Sequence, residues 1–173
     1  MVKHPVVDEI DSGYADLSII HHLAHLGLVF FAGCVFGTLA DNANADLLVR
    51  TSPDKHPHLT HSFVSGGDSI VYIFEGVVAA TSSDIVVPRN HYREKGDDSG
   101  VLVWANPVVT STGVTLFTEV IAGGQKNFAT GGGSDGRDEL ILNKGEDYIF
   151  RINNISGSSV SASTVIEFYE RSD

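Results

Sequence analysis

Three of the chain's eight histidines, His21, His22 and His25, lie within five positions of one another. On a helix, His21 and His25 would share a face at the i, i+4 spacing of zinc proteases, but those enzymes need a glutamate directly after the first histidine. Here that position is His22. On a strand the same pair would be about 13 Å apart, which is too far to bind one ion. The segment therefore predicts no metal site in either conformation.

A second group of histidines lies in HPHLTH, residues 56–61. An extended chain places His56 and His58 on one side and His61 on the other, so the three do not converge on one point. We expect these imidazoles to be half-buried or to lie in an interface, and to titrate near neutral pH.

Two residues are candidates for a nucleophile. The segment GGSDG at 132–136 matches the G-x-S-x-G pattern around Ser134, but that motif requires a strand that turns sharply into a helix above a parallel sheet. Here a glycine-rich loop precedes an apparent strand instead. Cys34, the only cysteine, lies in FFAGCVF, where nothing nearby would lower the pKa of its thiol. We therefore predict that the protein is not an enzyme and holds no metal or cofactor.

The charge balance restricts the possible partners. The chain has 22 acidic and 11 basic residues, a formal net charge of −11, which repels a phosphate backbone. The longest apolar run, LGLVFFAGCVF at 26–36, is too short to span a bilayer. The acidic N-terminal residues do not resemble an export signal. We expect neither nucleic acid nor membrane as a partner.

The arrangement of apolar residues predicts an all-β fold. From residue 28 onward, β-branched and aromatic residues form short runs separated by Gly, Asn, Asp, Ser and Pro, which is typical of a sandwich or barrel of about eight to ten strands. We expect residues 28–173 to form a single β-sandwich, jelly-roll-like domain. Residues 1–27 show scattered acids and single apolar residues, and we expect them to form an extended N-terminal arm.

Alternation within the runs predicts which side chains share a face. The runs at 58–65 and 69–75 flank Gly-Gly-Asp and are expected to form a hairpin. EGVVAATSSD from Glu75 is similar to NPVVTSTGVT from Asn106, which suggests two similar β-units facing each other. Trp104, the only tryptophan, is expected to pack in the core. The predicted sets on one face are Leu59, His61 and Phe63; Ile70, Tyr72 and Phe74; and Tyr148, Phe150 and Ile152.

The stretch PRNHYREKGDDSG, residues 88–100, mixes basic and acidic side chains around Tyr92. A solvated loop and a specific contact surface are both consistent with this composition.

The order of short motifs along residues 20–170 resembles a family of small β-rich virion proteins of tailed bacteriophages, described as capsid decoration or cement proteins. The chain differs at His91 and Tyr92, within a segment where relatives have Asn-Arg-Asn-Arg, and at Phe168, where a tryptophan is common. The motifs that carry the resemblance are HLAHLG, ADLLVRTSP, IFEG, PRNHYR, NPVVTSTGVTL and the ending LILNKGEDYIFRINNISGSS with IEFYE.

The resemblance implies a structural protein on the outer surface of the virion capsid, made in the cytoplasm of the bacterial host. Its partners would be the major capsid protein and two further copies of itself in a homotrimer. The arm would add a strand to a neighbouring subunit or lie across it. The residues expected to make capsid or subunit contacts are Ile10, Tyr14, Leu17, Ile19, Ile20, Arg89, Tyr92 and Arg93.

Other functions remain open on the sequence. The protein could be a phage fibre, knob or receptor-binding module whose loops at 88–100 and 122–137 contact the host surface. A carbohydrate-binding module would need several exposed aromatic side chains, whereas the chain offers one tryptophan inside an apolar run.

Overall fold

The computed structural model describes residues 19–94, 98–123 and 139–171. Within these ranges the chain is built from β-strands with one short helix, which confirms the all-β class. The elements are α1 (Ile19–His25), β1 (Val29–Leu39), β2 (Asn44–Arg50), β3 (His56–Ser65), β4 (Ser69–Glu75), β5 (Val78–Ala80), β6 (Arg89–Asn90), β7 (Leu102–Ala105), β8 (Val108–Ser111), β9 (Val114–Ile121), β10 (Leu140–Ile141), β11 (Asp147–Asn154) and β12 (Val160–Arg171).

Two antiparallel five-stranded sheets pack together around one hydrophobic core. Sheet A has the order β10-β3-β12-β1-β6, and sheet B has the order β7-β2-β11-β4-β9. The pairing is nested along the chain, because β1 pairs with β12, β2 with β11, β3 with β10 and β4 with β9. In each sheet, the strand that comes first along the chain is therefore paired with the strand that comes last, β1 with β12 and β2 with β11.

The inner faces of both sheets follow the predicted alternation. Leu59 and Phe63 of β3 are fully buried, as are Phe150 and Ile152 of β11. The set in β4 shares a face as predicted, but that face points away from the main core. Val71 and Ile73 fill the core instead, and Phe74 joins a second, smaller cluster on the outer side of sheet B.

The predicted hairpin between residues 58–65 and 69–75 is wrong, because β3 lies in sheet A and β4 in sheet B. The Gly-Gly-Asp connection crosses between the sheets rather than folding back. At Gly67 a Cβ atom would lie 2.7 Å from the side chains of Ser156 and Val160, so the tight corner requires glycine. Each strand pairs along its length with a distant partner, β3 with β12 and β4 with β11.

The two similar segments from Glu75 and Asn106 do face each other, because β5 and β8 pair as an antiparallel ribbon. The ribbon contributes Ala79 and Val109 to the second cluster, whose buried members include Leu48 and Ile149. Trp104 packs against this second cluster and therefore lies outside the main core.

The expectation of an extended arm through residue 27 is wrong for residues 19–25, which form α1. Ile20, Leu23 and Ala24 are half-buried at the i, i+3, i+4 spacing of an amphipathic helix. Gly27, with a φ of 73°, ends the helix, and the N–H groups of Gly27 and Leu28 bond to the carbonyls of Ala24 and Leu23. Residues 1–18 of the predicted arm lie outside the described residues.

Candidate interaction surface

His21 and His25 lie one turn apart on α1, and their Nε2 atoms are 3.0 Å apart. Their rings meet edge to face, with centroids 4.6 Å apart. A hydrogen bond between a donating and an accepting imidazole accounts for this geometry. Among the described residues, no group of three or more His, Cys, Asp or Glu side chains is placed to hold a metal ion.

His56 and His58 connect strand ends. The His58 ring stacks on Tyr169 of β12, with centroids 4.7 Å apart, and its Nδ1 lies 3.1 Å from the Tyr169 hydroxyl. That hydroxyl donates to the Glu139 carboxylate at 3.2 Å. His56 Nδ1 lies 2.9 Å from the Leu142 carbonyl and donates to it. Both imidazoles therefore join β3 to the chain on either side of β10.

His61 points into the core, as the alternation predicts. Its ring contacts Phe63, Phe117 and Phe150, with centroids 5.3 to 6.0 Å away. Neither ring nitrogen has a hydrogen-bond partner among the described residues. Burial lowers the pKa of His61 from its ordinary value.

Of the two candidate nucleophiles, the structure describes Cys34, and its surroundings do not activate it. Burial, with a smaller contribution from the charge of Asp84, raises the pKa of the Cys34 thiol, which disfavours the reactive thiolate. Ser134 lies outside the described residues.

Two carboxylate–guanidinium pairs brace the outer face of sheet B. Arg151 donates two hydrogen bonds of 2.7 Å to Asp46, and Arg50 donates two, of 2.7 and 2.8 Å, to Asp147. Hydrogen bonding to the carboxylate raises the pKa of each arginine. Each guanidinium also lies over an aromatic ring, Arg151 over Phe74 and Arg50 over Trp104. These charges are engaged in holding β2 to β11.

Five predicted contact residues are described by the structure, and they belong to one corner of the molecule. We call it the β1 corner and define it as α1, residues 26–31 and residues 89–93. The Asn90 side-chain amide donates to the Gly27 carbonyl at 2.6 Å, and the His91 N–H donates to the Val29 carbonyl at 2.9 Å. These bonds place residues 89–93 beside the C-terminal end of α1, and Ile19 and Ile20 lie at the other end of the helix. Ile10, Tyr14 and Leu17 lie outside the described residues.

The surface of the β1 corner carries both charged and apolar side chains. The Phe31 ring meets the His91 ring edge to face at 5.2 Å, and His91 Nε2 lies 3.6 Å from the Glu167 carboxylate. Arg89 and Arg93 are exposed and form no ion pair with another described residue. The corner also carries four exposed apolar side chains, Leu26, Leu28, Phe31 and Tyr92.

One feature of the β1 corner was not predicted from the sequence. β6 pairs with β1 only at Phe30 and Phe31, so the same edge of β1 has no strand partner beyond Phe31 in the described part of the chain. An apolar run such as VFFAGCVFGTL is equally consistent with a central strand and with an edge strand, and only the strand pairing distinguishes the two.

Comparisons of the chain with protein-family models, with curated proteins and with solved structures found no match. The part of the chain that the structure describes contains no helix long and apolar enough to cross a membrane.

Proposed function

We propose that this protein is a structural component of a tailed-bacteriophage virion that binds the outer surface of the capsid and stabilises it. It binds the major capsid protein and assembles as a homotrimer. The proposal begins from the ordered series of motifs that resembles phage decoration proteins. A double-sheet scaffold braced by two bidentate ion pairs supports a role in binding rather than in transforming a substrate.

The sandwich, in this proposal, is a jelly roll. Its support is the nested pairing, which gives the order β1-β12-β3-β10 in one sheet and β2-β11-β4-β9 in the other. Such an order results when one long antiparallel ribbon is wound around a core, and this winding is common in viral capsid domains. Because one fold serves many functions, the winding supports the proposal without fixing the partner.

The observation that carries the proposal is the meeting of two contact segments at the β1 corner. Residues 89–93 are far from α1 in sequence, yet the bond from Asn90 to Gly27 holds them beside the C-terminal end of this helix, whose first residues are Ile19 and Ile20. A single surface therefore combines exposed arginines with exposed apolar side chains, as protein–protein contacts do. The net charge of −11 suits the outer side of a shell, away from packaged DNA.

The test is rebinding of the purified protein to capsids stripped of it. We expect the full chain to rebind in many copies per particle, and deletion of residues 1–18 or the double change Arg89→Ala and Arg93→Ala to weaken rebinding strongly. Lys55→Ala is the control, because Lys55 is exposed just before β3, a strand that β12 separates from β1.

Unchanged rebinding by both the deletion and the double variant would refute the contact role. A few copies per particle, located at the tail or a vertex, would favour the fibre or receptor-binding alternative.

A further inference from the structure

The edge of β1 beyond β6 offers main-chain hydrogen-bonding groups to a further strand. The Val29 carbonyl accepts a bond from His91, so the odd-numbered residues of β1 direct their N–H and C=O groups toward the β6 side. The even-numbered residues direct theirs toward β12. β6 begins at Arg89, opposite Phe31, and the next residues of this set are Gly33 and Val35. Neither has a strand partner on this edge among the described residues.

This edge lacks the usual protection against pairing. Exposed edge strands commonly carry a lysine, another charge or a proline that discourages addition of a strand. The sequence of β1, VFFAGCVFGTL, contains none of these. The Val35 residue is 74% exposed, and Phe31 is 39% exposed on the same face. The edge therefore has both the polar groups and the apolar side chains that an added strand would cover.

We propose that the β1 edge at Gly33–Phe36 binds residues 1–18 of a second copy of this chain as an added strand. Charge supports this occupant, because the segment carries Asp8, Glu9, Asp11 and Asp16 against one lysine, Lys3. The edge adjoins Arg89 on β6, which lies opposite Phe31 and has no ionic partner among the described residues. Opposite charges at these positions would steer the segment to this edge and away from the acidic remainder of the surface.

The length of the segment allows exchange between copies. Eighteen extended residues reach about 60 Å, whereas the four residues Gly33–Phe36 occupy about 13 Å. The segment joins α1 at the β1 corner, so a copy placed beside that corner is within reach. In an extended strand Ile10 and Tyr14 share one face, and they are the side chains expected to cover Phe31 and Val35.

The inference deepens the proposed function, since it rests on the proposed homotrimer, but it needs no capsid. When each copy gives its segment to the next, the contact is head-to-tail, and three such contacts related by a threefold rotation close into the ring of the proposed trimer. Failure of the inference and failure of capsid binding are therefore measured separately.

The first test blocks the edge with Val35→Pro in the full chain. Proline removes the outward N–H of residue 35 and leaves the bonds to β12 in place, because those come from the even-numbered residues. Val35→Thr is the control, because threonine is also β-branched and keeps the N–H. By sedimentation we expect the wild type and Val35→Thr to be trimers and Val35→Pro to be a monomer with an unchanged circular dichroism spectrum.

Several results would overturn the proposal: a monomeric wild type, a trimeric Val35→Pro, or a trimer that survives deletion of residues 1–18. If Val35→Pro fails to fold, the decision comes from a second measurement. In a Cys34→Ala, Val35→Cys background, single cysteines at Ile10, Ser12 and Tyr14 are oxidised in a mixture of isotopically heavy and light protein. Disulfides joining heavy to light chains support the exchange, and disulfides confined to one chain, or none at all, overturn it.

Discussion

His61 is the residue whose burial has the clearest consequence for pH. Its pKa in the folded chain is lowered by desolvation, whereas in the unfolded chain it is near the ordinary value of about 6.5. As pH falls below that value the unfolded chain binds more protons, so the folded state loses stability. The full contribution is present above the unfolded pKa and is lost as pH falls toward the folded one.

We predict that His61→Phe abolishes this loss, which for one group has a slope of at most about 1.4 kcal/mol per pH unit. Urea denaturation between pH 5 and pH 8 measures it, with the exposed His25→Gln as the control. If the pH dependence persists in His61→Phe and disappears in His25→Gln, it arises from His25 and the prediction is wrong.

The two ion pairs of sheet B share the same bidentate geometry but differ in burial. In the pair of Arg151 and Asp46 the side chains are 15% and 10% exposed, whereas Arg50, the partner of Asp147, is 43% exposed. Loss of one partner costs more where the remaining charge cannot reach water.

We therefore predict that Asp46→Asn lowers the free energy of unfolding by about 3 kcal/mol, and Asp147→Asn by about 1 kcal/mol or less. Chemical denaturation of the two variants at pH 7 provides the comparison. Equal losses would show that burial does not distinguish the pairs.

At the residue scale, alternation along one strand was enough to predict that His61 lies on the same face as Leu59 and Phe63. The pairing of Asp46 with Arg151 was not predictable in the same way. It depends on the register of β2 against β11, in which Arg151 lies opposite Asp46, and neither strand's own sequence determines that register.

The turn between β8 and β9 is tightly constrained by its glycine. Gly113 has a φ of 64°, and a Cβ atom there would collide with the Glu75 carbonyl and lie 2.6 Å from that of Gly76. Gly157 has a similar φ of 76°, but no atom lies within 4 Å of the position of its Cβ.

We predict that Gly157→Ala costs about 1 kcal/mol, the backbone strain alone, and that Gly113→Ala costs at least about twice as much because backbone atoms must also move. Thermal unfolding of both variants is the measurement. An equal loss of stability in both variants would mean that the backbone around Gly113 moves aside at little cost in free energy.

At the element scale, the runs of β-branched and aromatic residues were sufficient to place most strands, and partner choice was not. The Gly-Gly-Asp segment looked like a hairpin turn because local signals identify a turn but not the sheet to which each flanking strand belongs. α1 was missed for another reason. It has only seven residues, and its clearest signal is Gly27 at the C-terminal end, which becomes meaningful once residues 20–24 are read at a helical spacing.

For the whole molecule, one core unites both sheets, so we predict that they unfold together. Trp104 fluorescence reports on sheet B, whereas far-ultraviolet circular dichroism reports on all strands. At one protein concentration the two transitions are expected to coincide within error. Two separate midpoints would mean that sheet A and sheet B are independent units.

The two parts of the candidate surface were identifiable from the sequence, but their proximity in the fold was not. The sequence marked the N-terminal segment and residues 88–100 as separate regions of interest. Their meeting at the β1 corner depends on the bonds from residues 90 and 91 to residues 27 and 29, which link parts of the chain that are distant in sequence. The open edge of β1 likewise follows from the whole topology and from no local pattern.

The position of β12 between β3 and β1 also governs when the protein can fold during its synthesis. The middle strand of sheet A is translated after the other four strands of that sheet, so β1 and β3 remain without their shared neighbour until residue 171 has left the ribosome. Folding is then limited by closure of the longest loop in the chain, which is slow compared with formation of local contacts. Nascent chains stalled before residue 160 are therefore expected to be sensitive to protease throughout sheet A, whereas released chains become resistant.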